Sequence, residues 1–180
     1  STYQQKTFFD QFIETCHSKN IDTLIHCGDI VDGVTSRQGC QETRFLNTIE
    51  EFEQYTAENY PTFEHNYILQ GNHEKSLTKF EPGYNFCKRL IELRPDLTYV
   101  EPGMPIVGPG IVMISASHGG GSCANRKRQR TDRLKSKTIQ LMSEGYIGHI
   151  FVSGHCHIKS YIPQYMNTVI IGLGCFQAPN

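Results

Sequence analysis

Four apolar runs in this chain stop abruptly, and each is followed at once by a side chain of the kind that holds metal ions. Leu24-Ile25-His26-Cys27 leads into Gly28-Asp29-Ile30-Val31-Asp32, and Tyr67-Ile68-Leu69-Gln70 into Gly71-Asn72-His73-Glu74. Ile111-Val112-Met113-Ile114-Ser115 precedes Ser117-His118-Gly119, and His149-Ile150-Phe151-Val152-Ser153 precedes Gly154-His155-Cys156-His157. Short apolar runs bounded by glycine are buried strands. Strands buried on both faces need cover from other layers, so the chain is confined to an α/β class in which helices pack on sheets.

The segments between supply those helices. Phe8, Phe9, Phe12, Ile13 and Cys16 recur at helical spacing and predict a helix over 4–19. Leu46, Ile49, Phe52 and Tyr55 predict one over 43–58, ending before Pro61. Further helices are expected near 84–94 and 124–144, and strands at 22–27, 66–70, 98–100, 111–115, 149–153 and 168–172. Pro102-Gly103, Pro105 and Gly108-Pro109-Gly110 mark turns. With 180 residues and no repeat or linker, a single domain over 1–180 is expected.

Composition narrows the partners. The chain carries 17 basic and 18 acidic residues, a net charge of −1, so its overall field favours no polyanion. No apolar stretch nears the roughly 18 residues that span a bilayer, so no membrane partner is expected. The seven cysteines include no C-x-x-C pair. Free thiols in a reducing cytoplasm are the expected state, and a cysteine zinc site is not.

Water activation by a divalent ion requires oxygen and imidazole ligands on a rigid frame. Strand ends supply that frame, and Asp29, Asn72, His118, His155 and His157 all stand at strand exits. The glycines Gly28, Gly71 and Gly154 are expected to permit the sharp turns that aim these side chains. Taken singly, each has a plainer reading: Asp29 as a helix cap, Asn72 as a turn residue, His118 as a loop residue. His17, His26, His65 and His149 lie outside any motif and are expected to be core or surface histidines.

The ordered set GDxxD (28–32), GNHE (71–74), Ser117-His118-Gly119 and GHxH (154–157) resembles the calcineurin-like metallophosphoesterase superfamily. The resemblance implies a layered α/β/β/α sandwich and two divalent metal ions, manganese first, with iron, zinc or magnesium as alternatives. It assigns Asp29 as the bridging carboxylate, Asn72, His118 and His155 to one metal site with it, and His157 to the other. By the same resemblance the catalytic residues are His73 and Asp29, His73 sitting over the phosphate as an acid or electrostatic helper, and Glu74 or Asp32 would orient neighbours.

The superfamily also opens with an Asp-x-His motif on its first strand. None of the six aspartates here has a histidine two places on. The expectation is a chain that lacks this first strand by truncation rather than by natural loss, since loss would bare the edge of its neighbour. The second metal site is then incomplete, and activity of this chain is open.

A dense basic run bears on the substrate. Seven of the twelve residues from Arg126 to Lys137 are basic, among them Arg126, Lys127, Arg128, Arg130 and Arg133. Such a patch attracts nucleic-acid phosphates; its alternative is a solvated helix face. The expected function is a phosphodiesterase or nuclease acting on DNA or RNA through a two-metal-activated hydroxide. The alternatives are a phosphomonoesterase or protein phosphatase of the same fold, or an impaired relative serving as a nucleic-acid or partner-binding scaffold. Oligomeric state is not legible in the sequence.

Overall fold

The computed structural model describes residues 2–31, 46, 48–108, 112–119, 127–145, 148–157 and 159–176, with backbone only at 2–5 and 127–130. In chain order the elements are α1 (Thr2–Ser18), β1 (Thr23–His26), α2 (Ile49–Asn59), β2 (His65–Ile68), α3 (Asn72–Ser76) and α4 (Phe86–Leu93). Then follow β3 (Leu97–Tyr99), β4 (Pro105–Gly108), β5 (Val112–Ser117), α5 (Lys127–Ser143), β6 (Ile150–Ser153), β7 (Ser160–Tyr165) and β8 (Thr168–Gly172).

The strands form two sheets. One has the order β1-β2-β3, all parallel; the other runs β4-β5-β6-β8-β7. In the second sheet β5, β6 and β8 are parallel, and β4 and β7 close the edges antiparallel. Three apolar clusters give the layer order. Phe52, Ile68, Leu77, Phe86 and Leu90 pack α2 and α4 onto the first sheet. Cys27, Leu69, Val100, Ile106 and Ala116 lie between the two sheets. Leu141, Phe151 and Ile170 pack α5 onto the second. This is the α/β/β/α sandwich expected from the motifs.

Three local departures have physical causes. Helix α2 starts at Ile49 because Thr48 caps it: its Oγ1 accepts from Glu51 N at 3.1 Å, and its own N–H donates to Glu51 Oε2 at 3.2 Å. The Thr-x-x-Glu signal was in the sequence and outranks the periodicity; residues 43–45 lie outside the described residues. The proline- and glycine-rich stretch read as turns contains β4, tolerated because Pro105 begins an edge strand. Strand β7 was missed because Pro163 interrupts it, and the pairing shifts register between Ile162 and Tyr165 around that residue.

Arg94 ties the helices to the first sheet. Its guanidinium pairs with Asp96 at 2.6 Å and donates from Nη1 to the Ala57 and Tyr60 carbonyls at the end of α2. Replacement by alanine strands those carbonyls and the Asp96 charge. Arg94→Ala is expected to lower unfolding free energy by about 2 kcal/mol in urea titrations.

Candidate metal centre

Four strand exits converge at one end of the two sheets. Gly28 has φ +86°, and a Cβ there would lie 2.7 Å from Gly71 Cα. A Cβ on Gly71 would overlap the Asp29 carboxylate and amide. Backbone meets backbone here, and no side chain fits between. Sequence reasoning assigned Gly28, Gly71 and Gly154 to sharp turns. Only Gly28 is left-handed; Gly71 has an ordinary φ of −89° and is needed for the close approach instead.

Three of the six described non-glycine residues with positive φ are candidate ligands. Asp29 has φ +57°, His155 +77° and His157 +54°. Non-glycine residues hold such angles only where their surroundings over-determine them. For Asp29 the agent is Glu74. Its fully buried carboxylate accepts from Asp29 N (3.0 Å) and Gly71 N (2.7 Å) on Oε2, and from Val31 N (3.0 Å) on Oε1. Asp29 Oδ1 in turn accepts from His73 N at 3.0 Å. The GDxxD and GNHE segments are thereby laced into one unit. Burial pushes the Glu74 carboxyl up, aided by the Asp29 charge and opposed by the three N–H donors.

Metal-type donors gather on one atom of His118. Its Nδ1 lies 2.7 Å from the Cys27 carbonyl, which can only accept, so Nδ1 carries a proton and donates it. That leaves Nε2 facing Asn72 Oδ1 at 2.8 Å, His155 Nδ1 at 3.1 Å and Asp29 Oδ2 at 3.2 Å. Ligand atoms around a cation with bonds of about 2.1 Å stand roughly 3.0–3.4 Å apart. Asp29, His118 and His155 offer atoms that all lie within 4.8 Å of one another. A single proton can serve one or two of these lone pairs, whereas a divalent ion serves them all, so the donor set fits a metal.

The other expected site residues are placed as follows. His157 is largely exposed and stands outside that group; partial burial lowers its pKa, and the Asp29 charge opposes this. His73 Nε2 lies 4.0 Å from Asp29 Oδ2, at the rim. Asp32 lies outside the described residues. The Cys27 carbonyl, which sets the His118 tautomer, was not foreseen; any residue supplies a carbonyl, so no sequence signal marks it. The Cys27 thiol is itself inert, since burial pushes its pKa up to about 12. Burial likewise holds His26 down at about 4.

In the basic run, α5 covers residues from Lys127 onward. Arg126 and the side chains of Lys127, Arg128 and Arg130 lie outside the described residues. Arg133 is exposed, and Lys135 stacks over Tyr165 at 5.3 Å.

The calcineurin-like phosphoesterase family model matches residues 2–172, a span that takes in all four motifs. The chain belongs to this family. The family is in general one of metal-dependent phosphoester hydrolases, and Asp29, His118 and His155 form a group that could hold a divalent ion. Among solved structures the chain is similar to a single mutant of Vps29 from Entamoeba histolytica, at 16% identity and a TM-score of 0.39, covering 84% of this chain and 73% of that one. No curated protein matches the sequence. No helix among the described residues is long and apolar enough to cross a membrane.

Charge makes this phosphoesterase centre responsive to pH. Burial alone would raise Asp29, but the His118 and His73 contacts outweigh it and hold the carboxyl at about 2. Its stabilising contribution is complete above the ordinary value of 3.8 and is lost as pH falls toward 2. His118 is opposed by burial yet raised by its Asp29 partner, so its contribution in metal-free protein is present below 6.5 and lost as pH climbs through the raised value. A cation must displace that proton. Divalent-ion affinity is therefore expected to rise with pH until His118 loses its proton, at a value above the ordinary 6.5, and to level off beyond it, with proton release on binding below that point, in calorimetry in buffers of different ionisation heat.

Proposed function

We propose that this phosphoesterase is a phosphodiesterase, manganese-stimulated and directed at nucleic acid. The observation that carries the reading is the convergence of Asp29, Asn72 and His155 on His118 Nε2, with Nδ1 committed elsewhere. Asp29, Asn72, His118 and His155 would hold one ion, and His157 would serve a second, less complete site. When bound, such ions polarise the phosphoryl oxygens and bring water to a nucleophilic form near neutral pH.

The chain's own groups do the rest. Asp29 supplies the negative charge that keeps the site selective for cations. His73, anchored through its N–H on Asp29 Oδ1, presents its ring at the rim, where it can give a proton to the leaving oxygen. Glu74 keeps both loops in register. Helix α5 is the next element after the His118 exit in the sequence, and its exposed Arg133 would add positive charge for a polyanion. The thiols of Cys16, Cys27 and Cys87, buried and outside any disulfide, favour a reducing compartment such as the cytoplasm.

The test pairs activity with binding. The chain should hydrolyse bis(p-nitrophenyl) phosphate and single-stranded DNA only with added manganese, and should hold one ion tightly by elemental analysis. Two tightly held ions per chain would overturn the incomplete second site. DNA binding should weaken with salt, and Arg133→Glu should reduce the slope of log affinity against log salt by at least about 1. Turnover of phosphomonoesters alone, with no salt-sensitive DNA binding, would count against the reading.

A further inference from the structure

One groove outside the metal centre adjoins it. It has a volume of about 440 Å³, within the roughly 300–1,000 Å³ of small-ligand sites, and is lined by Lys159, Tyr161, Ile171, Leu173 and Gly174 among others. The antiparallel register sets Tyr161 opposite Ile171, so both side chains share one face of the β7–β8 pair. Leu173 N donates to Ser153 O at 2.9 Å, which lays the exit of β8 alongside the start of the 154–157 loop. Lys159 is the second residue after His157 in the same segment. One end of the groove is therefore the loop that carries His155 and His157.

The wall chemistry is lopsided. Tyr161 is 68% exposed, a large aromatic face turned to solvent, flanked by the aliphatic Ile171 and Leu173. Lys159 supplies a cation, and Ser160 is the sole hydroxyl besides tyrosine among the lining residues. Such a wall stacks a planar group and pairs with a nearby anion, and offers little to read hydrogen-bonding edges.

We infer that this groove seats the nucleoside next to the scissile phosphate, its base stacked on Tyr161 and its flanking phosphate held by Lys159. The inference rests on the phosphodiesterase reading and gives that site its substrate class: nucleoside phosphodiesters, taken without preference among bases. Stacking is sequence-tolerant because every base has a π face.

The experiment compares two esters with manganese present, thymidine 5′-(p-nitrophenyl phosphate) and bis(p-nitrophenyl) phosphate. The ratio of their kcat/KM values should favour the nucleotide ester and fall at least about 10-fold in Tyr161→Ala, mainly through KM. Tyr161→Phe should keep the ratio. A ratio unchanged in Tyr161→Ala overturns the inference while leaving the phosphodiesterase reading intact. If neither ester is hydrolysed, that reading fails, and binding decides the groove: adenosine 5′-monophosphate should shift the Tyr161 NMR signals saturably in the full chain. No shift, or a shift only with an apolar peptide, overturns it.

Discussion

Asp29→Asn should strip the chain of its tightly held divalent ion and of metal-dependent hydrolysis together. The substitution is nearly isosteric. The side-chain Oδ1 can still accept from His73 N, so the loop geometry set at 3.0 Å is retained. What disappears is the negative charge 3.2 Å from His118 Nε2, at a carboxylate that its partners hold ionised down to about 2. Changes to groups that merely orient ligands cost about 10–100-fold in metal affinity, so loss of a charged ligand should exceed 100-fold. Calorimetric titration with manganese and hydrolysis of a phosphodiester would measure both losses. A variant that bound manganese as tightly as the parent would remove Asp29 from the centre. The variant should still fold, because the lost partner was a charge and not a packing group.

Glu74→Ala should do the reverse, damaging the fold first and the metal centre as a consequence. Three backbone N–H groups, from Asp29, Val31 and Gly71, terminate on this one buried carboxylate. Alanine leaves all three without an acceptor in a region that water reaches poorly, a cost of about 4 kcal/mol. Glu74→Gln keeps the shape but turns an NH₂ group toward at least one N–H donor, and should cost about 2 kcal/mol. Because the same N–H bond pins Asp29 at φ +57°, the Gln variant should also lose about 10–100-fold in manganese affinity. Urea unfolding and metal titration on the same sample separate the two effects. A Gln variant with lowered stability and unaltered metal affinity would mean that Asp29 is held by other contacts.

These two residues mark where sequence reasoning succeeded and where it stopped. The strand exits were legible because a buried strand is a short apolar run, and the residue after it is visible as a change in chemistry. Asp29, Asn72, His118 and His155 were found that way, and the structure brings all four together. The edge strands β4 and β7 were not legible: each contains a proline, and what permits it is the strand's position at a sheet edge, a property of the assembled sheet. The start of α2 was misjudged for a different reason. Apolar periodicity extends N-terminally past the point at which Thr48 and Glu51 begin the helix.

The centre's finer construction had no sequence signature at all. A three-residue apolar spacing or a Gly-Asn pair cannot announce that Gly71 abuts Asp29, or that the Cys27 carbonyl fixes the tautomer of His118, 91 positions away. Those contacts join segments that are distant in the chain and neighbours only once two sheets have stacked.

The sequence by itself determined the fold class, the order of the metal-type residues and the family, because these follow from local patterns of apolar and polar residues. The tertiary structure alone decided which donors share one imidazole nitrogen, which buried carboxylate holds the left-handed Asp29, and which histidine stands apart. Each of these depends on distances between strand exits, and packing of the two sheets sets those distances.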